Sequence, residues 1–392
     1  MVAACPFPWP RGTPVRIFRM AESLAGAGHD VHIVTYHIGE GSQSKPFHIH
    51  RIPNVANYEH VAPGPTIRKL LQLDPMLFRQ LRSLHQARPF DIIHGHHFEG
   101  VTIAARAVRD TPIIYDAHTT LAGELPHYPL GLPFGVKRAI GRLLDRILPR
   151  QAHKTIAVSE SIRRAMISVG AARPADIHVI PNGVESDTFD LPKPSSDVPG
   201  FTIIYTGTTA PYQRLDLLLA AFAHLHKRVD RARLQIITNS PFTPFEESSQ
   251  RLGIREAIDV RDVPFADQPI LLAAADVAVS PRIQCDGIPQ KLLNYMAAGK
   301  PVVAFEGSAV HLRHEVTGLR VPNGDISGMA CAMERLLNNP ELARRMGEAA
   351  QAEVRKEFSW SAVASKVEKV YRDAILNLAQ IRGFEDKLVV RR

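Results

Sequence analysis

The run SPRIQCDGIPQKLLNYMAAGKPVVAFEG, Ser280 to Gly307, carries the residue types best placed to do chemistry. An apolar segment ends at Pro281, and a loop follows with Arg282, Asp286 and Gly287. A helix is expected to open near Ile288 or Pro289, where proline suits a first turn. Its free backbone N–H groups and positive dipole end would favour a phosphate. Lys291 in the first turn and Arg282 in the loop add two full positive charges beside it. Gly299 ends the helix just ahead of Pro301 and the next strand. A buried amphipathic helix with incidental charge accounts for the same pattern, so the run alone leaves both readings open.

The first half offers a second set. Gly12, in PRGTP, lies in the loop after the first strand, where a missing side chain lets backbone N–H groups approach a phosphate or sugar. A simple turn explains it equally well. His94, His96 and His97 form an HxHH cluster that could supply metal ligands, but 94 and 96 point to one side of a strand and 97 does not. No DxD-type carboxylate motif accompanies them, so an acceptor pocket shared with Glu99 is the alternative to metal. Fourteen of the 18 histidines fall at or before His178, and one histidine alone therefore says little.

The elements that must hold these groups read as alternating strands and helices, the pattern of parallel α/β sheets. Strands are expected at 31–36, 90–96, 112–118, 154–160 and 177–183, then at 201–207, 233–239, 258–264, 276–281 and 300–305. Each run ends in residues common at strand ends that face a crevice. ESDTFDLPKPSSDVPG, 185–200, lacks periodicity and reads as a linker. The stretch 135–154 has Val136, Ile140, Leu143, Leu144 and Ile147 at helical spacing, with basic residues elsewhere. It could lie on anionic lipid or pack against a core with a solvated basic face. A terminal helix is expected over 358–381, followed by a loose tail, 382–392.

Composition agrees with a globular α/β protein. The chain has 392 residues, 45% hydrophobic and 22% charged, enough for two domains rather than one core. Forty-seven basic against 39 acidic residues give a net +8, which favours anionic partners. Aromatics are only 7%, the basic residues are dispersed and no nucleic-acid-binding motif occurs, so nucleic acid is not expected. No GxGxxG follows the first strand, which argues against a dinucleotide enzyme. Three cysteines without CxxC spacing suit a reducing compartment. Neither a spanning helix nor a signal peptide is expected, and the chain is placed in the cytoplasm, with the inner membrane face as a docking surface.

The motifs resemble those of glycosyltransferase family 4, the retaining GT-B enzymes that use nucleotide sugars. PQKLLNYMAAGKPVVA is similar to the family's donor-binding helix. Further matches run in family order through 10–36, DIIHGHHFEG at 91–100, YDAHTTLAGELP at 115–126, TIAVSESI at 155–162, VIPNGVESDTF at 179–189 and YTGTTAPYQRLDLLLAAF at 205–222. The resemblance implies two doubly wound Rossmann-like domains facing a central cleft. The expected divisions are an acceptor domain at 1–184, a linker at 185–200 and a nucleotide-sugar domain at 201–357. The 358–381 helix would return to the first domain. The chain starts inside its first strand, where relatives usually carry several more residues; a start placed too far downstream is one explanation, which an in-frame upstream extension would test.

The resemblance also assigns roles. Asp286 and Asn294 take the positions of two family acids, the first on the sugar and the second on the ribose. Gly207, Thr208, Gly287 and Ile288 join them around the donor, with Gly12 from the first domain. The family's diphosphate-binding Arg and Lys are replaced by Thr208 and Gln213, so Arg282 and Lys291, with Arg214, are expected to neutralise the leaving group. His118 matches the histidine on the donor sugar's 6-hydroxyl. His96, His97 and Glu99 are assigned to a glycan or lipid-linked acceptor of cell-envelope biosynthesis. No metal and no cofactor beyond the nucleotide-sugar co-substrate is expected, and retention would follow front-face attack with the departing phosphate as base. A GT-B scaffold that binds a nucleotide, glycan or partner without turnover is the competing expectation, favoured by Thr208, Gln213 and Asn294.

Overall fold

The computed structural model describes residues 1–9, 12–39, 45–59, 64–128, 130–192, 200–285 and 287–389, with side chains to 380. The chain forms two units, Met1–Pro181 with Val363–Arg392, and Asn182–Ala362.

The first unit is built on seven parallel strands: β1 (Val2–Ala3), β2 (His32–Thr35), β3 (His48–Arg51), β4 (Ile93–His96), β5 (Ile113–Ala117), β6 (Lys154–Ala157) and β7 (Ile177–Val179). Their spatial order is β3-β2-β1-β4-β5-β6-β7, so the direction of winding reverses between β1 and β4. The second unit has six: β8 (Phe201–Thr206), β9 (Ala232–Ile237), β10 (Ile258–Arg261), β11 (Val277–Ser280), β12 (Val302–Phe305) and β13 (Gly318–Val321). Here the order is β10-β9-β8-β11-β12-β13, reversing between β8 and β11. Ligands of such sheets bind beyond the carboxyl ends of the strands at the reversal, which directs attention to Cys5–Gly12 with His96–Glu99, and to Gly207–Arg214 with Arg282–Lys291.

Alternation within the strands explains the covered faces. Ile203, Tyr205, Leu234, Ile236, Val277, Val279, Val303 and Phe305 share one buried cluster with the helix Leu215–His226. Ile204, Ile237, Ala278, Val302 and Ala304 turn to the other, against Leu292, Leu293 and Tyr295 of the helix Gln290–Ala297. Both faces are dry, which is why these strands read as continuous apolar runs. No helix among the described residues is long and apolar enough to cross a membrane.

Four expectations change. The segment read as a linker is partly structured within the second unit, because Val184 and Phe189 are buried in its core and Ser186–Phe189 forms a helical turn; residues 193–199 lie outside the described residues. The basic amphipathic helix is shorter, Phe134–Ile147, followed by a tight turn at Leu148–Gln151 that puts Lys154 at the start of β6. The terminal helix runs Trp360–Val389 and takes in most of the expected tail. Two edge strands, β3 and β13, were not anticipated: both are four residues long, HIHR is polar, and GLRV places only Leu319 and Val321 in the core.

Candidate active site

In the second unit Gly207 follows β8 with φ +131°, a backbone conformation that suits glycine. A Cβ there would meet the Lys291 ammonium at 2.8 Å, so the missing side chain is what lets Lys291 reach the main chain. The Lys291 Nζ donates to Gln213 Oε1 at 2.9 Å and lies 4.0 Å from the Tyr205 ring centroid. Tyr205 in turn donates to the Thr208 carbonyl at 2.7 Å. Burial first, and then the neighbouring Arg282 charge, pull the Lys291 pKa down to about 7. Arg282 stacks over Tyr212 at 4.9 Å and donates to the Gln284 carbonyl. Neither cation is ion-paired with a carboxylate among the described residues, which leaves a buried Lys291 beside a half-exposed Arg282 at the sheet's reversal point.

Other expected donor residues divide. Thr208 Oγ1 and Asn294 Oδ1 are buried without hydrogen-bond partners, and Asn294 is otherwise enclosed within its helix. Gly287 is half-buried and Ile288 packs on the second core. The helix opens at Gln290 after Pro289, with Leu292 N donating to the Pro289 carbonyl, and Gly299 closes it at φ +64°. Arg214 is not brought to this group: it sits at φ +55° and grips Asp216 through three hydrogen bonds of 2.8–3.3 Å. Asp286 lies outside the described residues.

The first unit's reversal point is organised around Asp116, fully buried at the end of β5. Arg16 Nε and Nη2 donate to its two oxygens at 3.0 and 3.2 Å, and the same guanidinium reaches the carbonyls of Ile180 and Pro181. His94, His96 and His118 stand 3.2–3.4 Å from Asp116 Oδ2. Burial alone would raise this carboxyl, but Arg16, followed by His118 and His94, holds it well below the usual range. Burial likewise keeps His94 and His96 neutral. His94, His96 and Asp116 could gather around a metal ion by spacing, yet Arg16 already answers both carboxylate oxygens, and a second cation there would meet a buried guanidinium.

Thr13 links this cluster to the surface, with Oγ1 2.7 Å from His97 Nε2 and 3.2 Å from His118 Nδ1. His97 opens the helix His97–Ala107 at φ +59°, a strained setting for a side chain that often marks a working site. Its pKa falls to about 3 through burial and then the His118 charge. Gly12, Thr13, Lys69, His96, His97 and Glu99 help line a cavity of about 270 Å³. His118 is set behind Thr13 and His97, stacking on His97 at 4.5 Å. Burial lifts Glu99 to about 8, so near neutral pH it is mostly a proton-bearing donor.

Of the residues expected from sequence, the structure gathers His96, His97, His118 and Glu99 at one crevice and Lys291 with Arg282 at the other; Arg16, Thr13, Tyr205 and the central place of Asp116 were not expected. One signal was available: Arg16 falls on the buried face of its helix beside Ile17 and Met20, where an unpaired arginine is not tolerated.

Two doubly wound sheets are the architecture of GT-B proteins, and solved structures share this fold. Anabaena HepE in complex with UDP superposes with a TM-score of 0.71 at 17% identity, over 95% of this chain and 99% of that one. Sucrose-phosphate synthase from Thermosynechococcus elongatus gives 0.69 at 17%, over 96% and 99%. Family models match as well, Glycosyltransferase Family 4 over residues 10–188 and Glycosyl transferases group 1 over residues 200–339. The chain belongs to the family 4-like GT-B glycosyltransferases. A phosphatidyl-myo-inositol mannosyltransferase of Mycobacterium leprae is 28% identical over 94% of this chain and 95% of its own length. An MMP alpha-(1->4)-mannosyltransferase of Mycolicibacterium hassiacum is 25% identical over 94% and 96%.

Proposed function

We propose that this glycosyltransferase moves a sugar, with retention of configuration, from a nucleotide-diphosphate-sugar to a hydroxyl of a glycan or lipid-linked acceptor. The observation that carries this reading is the Lys291–Arg282 pair at the end of β8 and β11, which no carboxylate among the described residues ion-pairs. Lys291 is held where burial opposes its charge, and a diphosphate would supply the missing counter-ion. The names of the relatives, mannosyltransferases acting on inositol lipids or sugars among them, support a hydroxylated acceptor.

In this reading Lys291 and Arg282 hold the diphosphate and take up the charge that grows as the sugar–oxygen bond breaks. The main chain at Gly207, Thr208, Gly287 and Ile288 lines the donor, the free Thr208 hydroxyl and the Asn294 carbonyl oxygen accept from it, and Asp286 contacts the sugar. The acceptor proton passes to a departing phosphate oxygen, so no protein carboxylate need act as nucleophile or base, nor is a metal invoked. Glu99 donates a hydrogen bond to an acceptor hydroxyl, while Thr13 orients His97 and His118, the latter assigned to a sugar hydroxyl.

The helix Phe134–Ile147 supports a membrane-proximal acceptor. Its inward side is Gly141 and Asp145, whose carboxylate accepts from Leu121 N and Ala122 N at 2.7 and 2.9 Å. Val136, Ile140, Leu143 and Ile147 therefore face outward, 38–55% exposed, flanked by Arg138, Arg142 and Arg146. An apolar stripe with a basic border suits an anionic lipid surface. Lys137 ties this helix to the carbonyls of Pro126 and Tyr128 at 2.6 and 2.9 Å, beside the acceptor cavity.

Thermal shift against UDP-, GDP-, ADP- and dTDP-sugars, followed by transfer assays, tests the function. One nucleotide class should stabilise the protein and be turned over. Stabilisation without turnover of any sugar would favour the non-catalytic scaffold, and no stabilisation at all would remove the donor reading.

A further inference from the structure

The surplus of histidines in the first half is not used up by the site around Asp116. A second group stands at the opposite ends of the strands, where β2 and β3 begin. His32 and His48 are the first residues of these two strands and are direct cross-strand partners in the parallel register. Asp30 precedes β2 by two residues and so returns to the same place. The Asp30 Oδ1 lies 3.2 Å from His32 Nε2 and 3.5 Å from His48 Nε2, and the three ligand atoms fall within 4.8 Å of one another.

Those separations have a chemical meaning. Zinc bonds of roughly 2.0–2.2 Å to nitrogen and oxygen, set at tetrahedral angles, put neighbouring donor atoms about 3.3–3.5 Å apart. Direct hydrogen bonds would satisfy only one of the two histidines well at such distances, since 3.5 Å is long for an N–H···O contact. The far side of His32 is also arranged as metal ligands usually are: its Nδ1 lies 2.8 Å from His50 Nε2. In the tautomer whose Nδ1–H donates to His50, the Nε2 lone pair faces the Asp30 carboxylate and a cation between the two acceptors is favoured; in the other, Nε2–H donates to Asp30 and a metal ion would take the place of that proton. His50 is two residues beyond His48 on the same strand, so the pleat places it on the same face.

We propose that Asp30, His32 and His48 form a binding site for a divalent transition-metal ion of the zinc class, separate from the transfer chemistry. His50 orients His32, and the ion pins the edge strand β3 to β2. Arg88, which is ion-paired with Asp30, competes with the metal for the carboxylate. Being largely exposed, its side chain can leave without burying a charge. The donor set of two imidazoles and a carboxylate leaves at least one coordination position for water.

The test is a zinc titration of the full-length, untagged protein against a chromophoric chelator, paired with melting curves in zinc and in EDTA. Wild type should bind one equivalent and melt higher with zinc than with EDTA. His48→Ala and Asp30→Ala, both at well-exposed positions, should each weaken binding at least tenfold and abolish the melting difference. Arg88→Ala should tighten binding several-fold, a result that a chance cluster would not give. His50→Ala should weaken binding less than His48→Ala does, as expected of a residue that orients rather than ligates. Absence of a bound equivalent overturns the proposal. So does binding that survives both His48→Ala and Asp30→Ala, which would place the ion elsewhere, as at His94, His96 and Asp116.

Discussion

The reversal points of the two sheets occupy the same topological position but are charged in opposite ways. In the first unit the carboxylate at the reversal point is answered: Arg16 neutralises Asp116, burial disfavours charge on His94, His96 and His97, Glu99 is mostly protonated, and the Lys69 ammonium in the cavity wall donates to the Gly64 carbonyl. In the second, Lys291 and Arg282 face each other's charge, and their partners among the described residues are neutral: Gln213, Tyr205, Tyr212 and a carbonyl. A compensated crevice rich in neutral donors and acceptors suits hydroxyl groups, whereas an uncompensated positive one suits a polyanion. In the proposed function, this difference in charge balance gives the two crevices to the two ends of the transfer.

The comparison can be broken most severely at Asp116. Asp116→Asn keeps the shape but leaves the Arg16 guanidinium buried without its counter-ion, a change expected to cost about 3–5 kcal/mol. Chemical denaturation should register that loss. A wild-type midpoint would mean that the first crevice does not depend on charge compensation.

Lys291 should behave in the reverse manner. Lys291→Met removes a charge that burial disfavours, so stability should hold or rise. Transfer should fall by about 10²–10³, the usual consequence of losing one group that stabilises developing charge. Combining it with Arg282→Ala should lower turnover further, and undiminished transfer in the double variant would contradict the diphosphate assignment.

A smaller effect is expected from pH. Lys291 has a depressed pKa of about 7 in the free protein, and a bound diphosphate raises it by favouring the ammonium. Below that value the lysine is already charged and donor affinity should be flat. As pH rises through about 7 binding must take up a proton, so affinity should fall towards tenfold per unit. An intact nucleotide-sugar is the suitable probe, because its diphosphate does not titrate there, and Lys291→Met should abolish the slope. Smallest of all should be the effect of Ile140→Glu with Leu143→Glu on transfer to a soluble acceptor, while co-sedimentation with anionic vesicles is lost. Retained co-sedimentation would remove the helix Phe134–Ile147 from the lipid reading.

How far the sequence spoke for itself follows from the same contrast. The second crevice was legible because its parts lie close in the chain: Arg282, Lys291 and the helix start fall within one run, and local rules of capping and dipole apply to it. The buried strands of both sheets were legible because two dry faces demand continuous apolar residues, while the polar edge strand β3 escaped, and β13 was too short, with Arg320 interrupting it, to stand out. The first crevice was only half legible. His118 and the HxHH run stood out, but the pairing of Arg16 with Asp116 joins residues a hundred positions apart, and the Tyr371 hydroxyl 2.6 Å from His94 Nδ1 comes from the last helix. The pairing of Arg214 with Asp216 was not legible either, since it follows from the left-handed turn there.

The most direct test of the account compares the thermal stabilisation given by a nucleoside with that given by the same nucleoside's diphosphate, in wild type and in Lys291→Met. The account predicts a much larger shift for the diphosphate in wild type and near equality of the two ligands in the variant. An equal advantage for the diphosphate in both proteins would show that its charge is held elsewhere and would contradict the assignment of the second crevice.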